Sequence, residues 1–145
     1  MPEPSLILIA DDDQNDVFFL QRAFRRVGLE HELVHVADGQ EAVDYLTDNS
    51  DGNPKTRRMP DLLLLDLKMP KMTGFEVLSW LQTQPRLGDL RVIVLSGSNQ
   101  PRDMEQAKSL GADDYYVKPV EFDDLMKFVQ EVDKRWLNIP RNAQP

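Results

Sequence analysis

Five short apolar runs recur along the chain, each bounded by polar or turn-forming positions. The third consists of consecutive leucines and lacks the alternation that is typical of a strand with one solvated face. A strand buried on both faces need not alternate, and such strands are typical of parallel sheets covered by helices. We therefore predict strands at residues 6–10, 33–36, 62–65, 92–95 and 115–117.

The segments between these runs carry apolar residues at every third or fourth position, the spacing of a helix with one buried face. In the first segment they recur from Val17 to Val27, and Gly28 follows as a natural helix end. Strands that alternate with helices become parallel neighbours through right-handed crossovers. The predicted fold class is therefore α/β, a doubly wound parallel sheet of five strands flanked by five helices. The other helices are predicted at 41–46, 75–81, 104–110 and 122–136.

The chain of 145 residues is predicted to form a single domain, since this length suits one hydrophobic core. The core is expected to span about residues 5–137, followed by a short flexible tail over 138–145. The connection over 48–60 is longer than a usual link between a helix and a strand, so a surface insertion is predicted there. Because only the tail follows the core, we expect no output domain.

Composition narrows the possible partners. A formal net charge of −8 opposes binding to nucleic acid or to anionic membranes. The one cluster of basic residues is small and lies in the predicted insertion, where a solvated loop is expected. The apolar run near the start is too short to cross a bilayer, and cysteine is absent. We therefore expect a cytoplasmic protein without a nucleic-acid or membrane partner. His31 and His35 have no third metal ligand nearby, so packing or surface roles are predicted for both.

Charged and hydroxyl side chains follow directly after four of the predicted strands. Asp11 and Asp12 follow the first strand, Asp66 the third, Ser96 the fourth and Lys118 the fifth. In an open parallel sheet, ligands bind at the carboxyl ends of the strands. We therefore expect these side chains to converge at one edge of the sheet.

The expected carboxylates need a cation, because neighbouring carboxylates repel one another and raise each other's pKa. Mg²⁺ favours hard oxygen ligands, commonly one or two carboxylates with water and a phosphate oxygen. We predict that Asp12 and Asp66 bind it directly and that Asp11 acts through water. A backbone carbonyl near Lys68 would complete the protein ligands.

The same edge offers the groups that phosphoryl transfer requires, chiefly positioning and neutralisation of oxygen charge. Mg²⁺ and the Lys118 ammonium would supply positive charge, and the Ser96 hydroxyl would donate a hydrogen bond. A carboxylate can act as the nucleophile and form an aspartyl-phosphate. We predict that Asp66 becomes transiently phosphorylated.

Each of these residues also has an ordinary structural interpretation. Asp11, Asp12 and Asp13 could serve as a helix cap and as first-turn acids favoured by the helix dipole, and for Asp13 this is the interpretation that we prefer. Asp66 could be a turn residue, Ser96 a cap and Lys118 a surface lysine. Their occurrence together, in the required order at four strand ends, favours a functional site.

Several short motifs surround these residues in a fixed order. They are Asp11-Asp12, Asp66 with Met69-Pro70, Gly74, Ser96-Gly97, Gly111-Ala112 and Lys118-Pro119. With this ordered set the chain resembles, over about residues 6–136, the receiver domains of two-component response regulators, in particular the single-domain chemotaxis type. The resemblance implies a flavodoxin-like sheet with strand order 2-1-3-4-5.

By this resemblance, a sensor histidine kinase or a phosphotransfer protein donates the phosphoryl group to Asp66. The receiver assists transfer and later hydrolysis, as a phosphoacceptor switch and not as an enzyme with a separate substrate. Ser96 would move toward the phosphoryl group and Tyr115 would rotate inward, which changes the surface of the fourth helix, fifth strand and fifth helix. The Lys118-Pro119 bond is often cis in this family.

Lys68 bears on the main alternative, a phosphatase of the haloacid dehalogenase type. Such enzymes normally carry a second aspartate two positions after the nucleophile, where this chain has Lys68. A phosphorylation-independent binding module is disfavoured by the intact site, and flavin binding by the lack of a phosphate loop. As a cation near Asp66, Lys68 would alter the phosphoryl lifetime in either direction.

Ser96 replaces a commoner threonine and retains the hydroxyl.

The insertion before the third strand and the aromatic end of the last helix resemble the small regulators that accompany bacterial phytochrome kinases. Several of those pair through the face of the fourth and fifth helices, so we expect a homodimer. Trp136 would either serve that pairing or pack the last helix onto its own sheet. Kinase docking is predicted on the first helix, at Asn15, Phe18, Phe19 and Arg22. The alternative is a wider buried face of that helix.

Overall fold

The computed structural model describes residues 4–48 and 59–137, over which strands and helices alternate. The helices are α1 (Gln14–Arg26), α2 (Gly39–Asp48), α3 (Gly74–Gln82), α4 (Pro101–Ser109) and α5 (Phe122–Val132). A 3₁₀ turn, Pro85–Leu87, precedes the fourth strand, and a π-helical turn, Asp133–Leu137, continues the last helix. The strands are β1 (Leu6–Ala10), β2 (Glu32–Val36), β3 (Leu62–Leu65), β4 (Arg91–Ser96) and β5 (Asp114–Val117).

All five strands are parallel and form one sheet in the order β2-β1-β3-β4-β5. The register places Ile7 beside Leu33 of β2 and Leu62 of β3, so the central strands are flanked by apolar neighbours. The predicted α/β fold, its strand order and its five strands are confirmed. Each strand begins and ends within one residue of the predicted limits.

The helix ends follow from local chemistry. Asp13 caps α1, since its Oδ1 accepts the N–H groups of Asn15 at 2.9 Å and Asp16 at 3.2 Å, as preferred for this residue. Gly28 ends α1 with a φ of 79°, a left-handed conformation that glycine adopts without strain. α4 begins earlier than predicted, at Pro101, because proline suits the first position of a helix.

Side chains of each strand point alternately to the two faces of the sheet, and helices cover both. Leu63 and Leu65 belong to the layer under α2, α3 and α4, while Leu62 and Leu64 belong to the layer under α1 and α5. Trp136 is only 5% exposed and lies in the second layer. Of the two interpretations of Trp136, the structure therefore supports packing against its own sheet.

The beginnings of the strands are held by side chains. The N–H of Leu6 donates to Asp61 Oδ2 at 2.9 Å, and the N–H of Val92 donates to Asp113 Oδ2 at 2.8 Å. The N–H of Ser5 donates to Nδ1 of His31 at 2.9 Å, and Nε2 of His31 lies 2.6 Å from Asp133 Oδ1. His31 therefore has a packing role, one of the two roles predicted for it, and ties the π-helical turn after α5 to the beginning of the sheet.

The predicted tail over 138–145 and most of the predicted insertion over 48–60 lie outside the described residues. Among the helices that are described, none combines the length and the hydropathy that a membrane span requires.

Candidate functional site

Three carboxylates converge where β1 and β3 end. The N–H of Asp66 donates to the carbonyl of Ala10 at 2.9 Å, which continues the ladder between the two strands past their ends. Asp11 and Asp66 are each 6% exposed, whereas Asp12 is exposed. One ligand oxygen from each carboxylate lies within 4.8 Å of the others. This spacing suits one small cation with oxygen ligands.

The Asp11 carboxylate lies in surroundings that disfavour its charge. Burial is the largest cause and raises the pKa of Asp11 above its ordinary value. The N–H of Asp13, 2.9 Å from Oδ1, and the Lys118 ammonium lower the pKa, and the carboxylate of Asp66 raises it. A cation bound here would relieve the repulsion between the two carboxylates.

The Lys118 ammonium lies among three carboxylates. Its Nζ is 3.0 Å from Asp11 Oδ2, 3.1 Å from Asp66 Oδ2 and 2.7 Å from Asp16 Oδ2. The N–H of Lys118 donates to the carbonyl of Ser96 at 2.8 Å, which continues the ladder between β4 and β5. Burial favours loss of the ammonium proton most strongly, but the hydrogen bonds and charges of the carboxylates outweigh it and raise the pKa of Lys118. Lys118 is therefore a fixed cation at this edge.

Asp66 is oriented by its own loop and by the start of α3. The N–H of Leu67 donates to Asp66 Oδ1 at 2.7 Å, which leaves Oδ2 facing Lys118. The N–H of Gly74 donates to the carbonyl of Leu67 at 2.9 Å. A Cβ atom on Gly74 would lie 2.3 Å from the carbonyl oxygen of Asp66, so a side chain at this position would displace the backbone that carries Asp66.

Ser96 and Tyr115 meet at one residue of the loop after β4. Ser96 is 1% exposed, and its Oγ accepts the N–H of Ser98 at 3.2 Å. The hydroxyl of Tyr115 donates to the carbonyl of Ser98 at 2.8 Å, and the Tyr115 side chain is partly buried. The two residues predicted to act as a switch thus share Ser98 as a hydrogen-bond partner.

The residues predicted for kinase docking lie on the outward side of α1. Phe18 and Phe19 are 48% and 47% exposed, and Asn15 and Arg22 are exposed as well. Both phenylalanines therefore lie off the core face, and the alternative of a wider buried face of α1 is wrong. Beside Phe19, a cavity of about 500 Å³ opens between α1 and the residues after β5, and the side chain of Lys118 reaches it.

Two details concern the loops after β3 and β5. Lys68 is exposed two residues after Asp66 and near the acidic edge. No peptide bond among residues 4–48 and 59–137 is cis, so the Lys118-Pro119 bond is trans and differs from the isomer that is frequent in receiver domains.

Sequence reasoning missed two residues that touch the site, Asp16 and His35. Nε2 of His35 lies 2.7 Å from the carbonyl oxygen of Asp11, so the imidazole donates to the backbone of the acidic loop. The contact depends on the register that places His35 beside Ile9, which the sequence alone does not reveal. Asp16 could have been recognised from the sequence, since it lies in the first turn of α1, the helix that follows β1.

The comparisons with known proteins agree with this geometry. The model of the response regulator receiver domain family matches residues 7–130. The probable methanogenesis regulatory protein FilR2 of Methanothrix harundinacea (strain 6Ac) is 35% identical over 99% of this chain and 90% of its own length. The response regulator Rcp1 of Synechocystis sp. (strain ATCC 27184 / PCC 6803 / Kazusa) is 32% identical over 92% of this chain and 90% of its own length.

Solved structures show the same likeness. The phosphorylated cyanobacterial phytochrome response regulator RcpA superposes with a TM-score of 0.83 at 32% identity, covering 94% of this chain and 96% of that one. The Mn²⁺-bound form of Rcp1 superposes with a TM-score of 0.81 at 31% identity, covering 98% and 99% of the two chains. Fold, strand-end carboxylates and sequence therefore lead to one conclusion. The chain belongs to the response regulator receiver domain family.

Proposed function

We propose that the chain accepts a phosphoryl group on Asp66 from a sensor histidine kinase, in a reaction that depends on Mg²⁺. The observation that supports this most directly concerns the nearly buried Asp66 carboxylate. It lies beside Asp11, Asp12 and the Lys118 ammonium at the carboxyl ends of the strands. Phosphorylation would then change the surface formed by α4, β5 and α5, and with it the binding of another protein.

The metal would be held directly by the carboxylates of Asp12 and Asp66 and the backbone carbonyl of Lys68, and through water by the carboxylate of Asp11. Donor oxygens within 4.8 Å of one another, two of them on nearly buried residues, support the assignment. The Mn²⁺-bound form of Rcp1 supports a divalent ion in a related protein. When bound, Mg²⁺ supplies positive charge against the oxygens of the transferred group.

The chemical step would use the chain's own groups in defined ways. A carboxylate oxygen of Asp66 forms the new bond to phosphorus, while the P–N bond of the donor phosphohistidine breaks and its electron pair stays on the imidazole. Lys118 donates hydrogen bonds to the phosphoryl oxygens. The Ser96 hydroxyl, which now accepts from the N–H of Ser98, turns to donate to the phosphoryl group and draws its loop along. Attack by water at phosphorus later breaks the bond to the Asp66 oxygen, which releases inorganic phosphate and restores the Asp66 carboxylate.

The donor would dock on the exposed side of α1, at Asn15, Phe18, Phe19 and Arg22. The cavity of about 500 Å³ beside Phe19 supports this, because Lys118 lies in its wall and a donor held there faces the acidic edge. The likeness to RcpA supports a bacteriophytochrome kinase as the donor. We further propose a homodimer through the surface of α4, β5 and α5.

The proposal is tested by incubating the protein with phosphoramidate and Mg²⁺ and measuring the intact mass. We expect one added phosphoryl group on the wild type and none on the Asp66→Asn variant. Calorimetry should show Mg²⁺ binding that the Asp12→Asn variant weakens. If folded wild-type protein binds Mg²⁺ and stays unmodified, the proposed function is wrong.

Docking is tested separately with the cognate kinase as the donor. Alanine at Phe18 and Arg22 should slow transfer from the kinase and leave the rate with phosphoramidate unchanged, since only the protein donor needs α1. Equal rates of kinase transfer in the variant and the wild type would exclude α1 as the docking surface.

A further inference from the structure

Asp16 is a carboxylate that the proposed reaction leaves unused, although it makes the shortest contact with Lys118. The distance from its Oδ2 to the Nζ of Lys118 is 2.7 Å, against 3.0 Å for Asp11 and 3.1 Å for Asp66. An ammonium has three N–H donors, so these carboxylates can occupy all of them. The side chain of Asp16 is 42% exposed and that of Lys118 is 20% exposed, so Asp16 holds the lysine from the solvent side.

The other two carboxylates cannot hold Lys118 throughout the reaction. Asp66 loses its free Oδ2 charge when it bonds to phosphorus, and Asp11 takes part in binding Mg²⁺. Asp16 belongs to neither group, since it lies in the first turn of α1, outside the cluster of Asp11, Asp12 and Asp66. It is the carboxylate partner that Lys118 keeps while the other two are engaged.

We propose that Asp16 is a positioning residue that holds the Lys118 ammonium toward Asp66 during phosphoryl transfer. A free lysine side chain carries considerable rotamer entropy, which must be lost when the ammonium is fixed beside the phosphoryl group. A hydrogen bond to Asp16 fixes the ammonium beforehand and so lowers the barrier to the step. Asp16 itself touches neither the phosphorus nor its oxygens. The inference rests on the proposed phosphorylation of Asp66.

A purely structural role for Asp16 has a matched control. An acid in the first turn of a helix stabilises that helix through its dipole, and Asp16 does this for α1. Asp123 is an exposed acid in the first turn of α5. Among the residues that the structure describes, the carboxylates within 4.0 Å of Lys118 Nζ are those of Asp11, Asp16 and Asp66, so Asp123 shares the helix position without the lysine. The Asp123→Asn variant therefore reproduces the loss of a first-turn charge alone.

The test compares phosphorylation by phosphoramidate in the wild type and in the Asp16→Asn, Asp16→Glu and Asp123→Asn variants, over a range of donor concentrations. For Asp16→Asn we expect the limiting rate to fall by about two- to fivefold, the range that a half-exposed ion pair supports, with the half-saturating donor concentration unchanged. Asp16→Glu should recover most of the rate, and Asp123→Asn should match the wild type. In a Lys118→Ala background, Asp16→Asn should have no further effect.

A second measurement needs neither metal nor donor. In metal-free protein labelled at the lysine Cε, the two Cε protons of Lys118 should have distinct chemical shifts, because the side chain is held in one arrangement. The Lys118→Ala variant assigns the signal. The two shifts should merge in Asp16→Asn and stay apart in Asp123→Asn.

The outcomes separate the two proposals. If the wild type takes no phosphoryl group, the proposed function fails, and the Cε signals then decide only whether Asp16 fixes Lys118. If the wild type is phosphorylated and Asp16→Asn reacts as fast as Asp123→Asn or faster, the positioning role is wrong and the proposed function stands. Unchanged Cε signals in Asp16→Asn would also overturn the positioning role.

Discussion

Replacing Gly74 by alanine should destabilise the protein and disturb Asp66 together. The added Cβ would lie 2.3 Å from the carbonyl oxygen of Asp66 and 2.8 Å from the Cα of Leu67. Ordinary contacts of a Cβ begin near 3.4 Å, so the start of α3 and the loop after β3 would have to separate by about 1 Å. Both crowded atoms belong to the backbone, so no side chain can rotate away to make room.

The size of the effect follows from two opposing contributions. Overpacking a close contact costs about 1–3 kcal/mol, and the rigid backbone here favours the upper part of that range. Alanine is a better helix former than glycine by up to about 1 kcal/mol, and less than that at the first position of a helix. We therefore expect Gly74→Ala to lower the free energy of unfolding by about 1–3 kcal/mol.

The assay is urea denaturation followed by tryptophan fluorescence, with Mg²⁺ affinity measured by calorimetry on the same samples. Gly97→Ala is the matched control, because a Cβ there meets nothing within 4 Å and its φ is not left-handed. The control should unfold within about 0.5 kcal/mol of the wild type. Gly74→Ala should unfold at lower urea and bind Mg²⁺ more weakly, because the displaced peptide carries Asp66. Equal stability of Gly74→Ala and the wild type would refute the packing argument.

Three further predictions concern the rest of the fold. Trp136→Ala should cost about 3–5 kcal/mol at any protein concentration in urea denaturation, since Trp136 lies in the core; a loss seen only at dimer-forming concentrations would contradict this. Burial, and then the Asp114 carboxylate, raises the pKa of Tyr116 from 10.0 to about 12, so its contribution to stability is complete below pH 10 and lost as the pH rises to 12. Ultraviolet titration should detect one tyrosine with a pKa of about 12, and the Tyr116→Phe variant should lack the associated loss of stability. Thr73→Ala should cost about 1 kcal/mol in thermal unfolding and Thr73→Ser much less, because Thr73 Oγ1 accepts the N–H of Glu76 at 3.3 Å in a capping box.

The pattern of apolar residues predicted every strand and helix of the sheet fold because burial on both faces leaves a strong trace in the sequence. Leu62–Leu65 shows this most clearly, since all four side chains are fully buried on alternating faces. The 3₁₀ turn Pro85–Leu87 was not predicted, and neither was the change of the last helix, predicted to run to residue 136, into a π-helical turn at Asp133–Leu137. Both are single turns beside longer elements, too short to leave a periodic pattern of their own.

The candidate site was predictable where its residues directly follow a strand, because parallel strands end at a common edge. Asp11, Asp66, Ser96 and Lys118 were all identified in this way. Asp16 was missed because its contact with Lys118 depends on how α1 packs against the end of β5. The position of a residue after a strand predicts that its side chain lies at the site. Which side chains then form hydrogen bonds with one another depends on how the helices pack on the sheet.

The two edges of the sheet are built differently. At the beginnings of the strands, the backbone N–H groups of Ser5, Leu6 and Val92 are fastened by His31, Asp61 and Asp113. Phosphorylation of Asp66 would act at the carboxyl ends of the strands, while these hydrogen bonds hold the opposite ends in place. We therefore expect the resulting structural changes to spread through the loops that follow the strands. Chemical shift changes on phosphorylation should fade along each strand within a few residues and extend instead from one of these loops to the next.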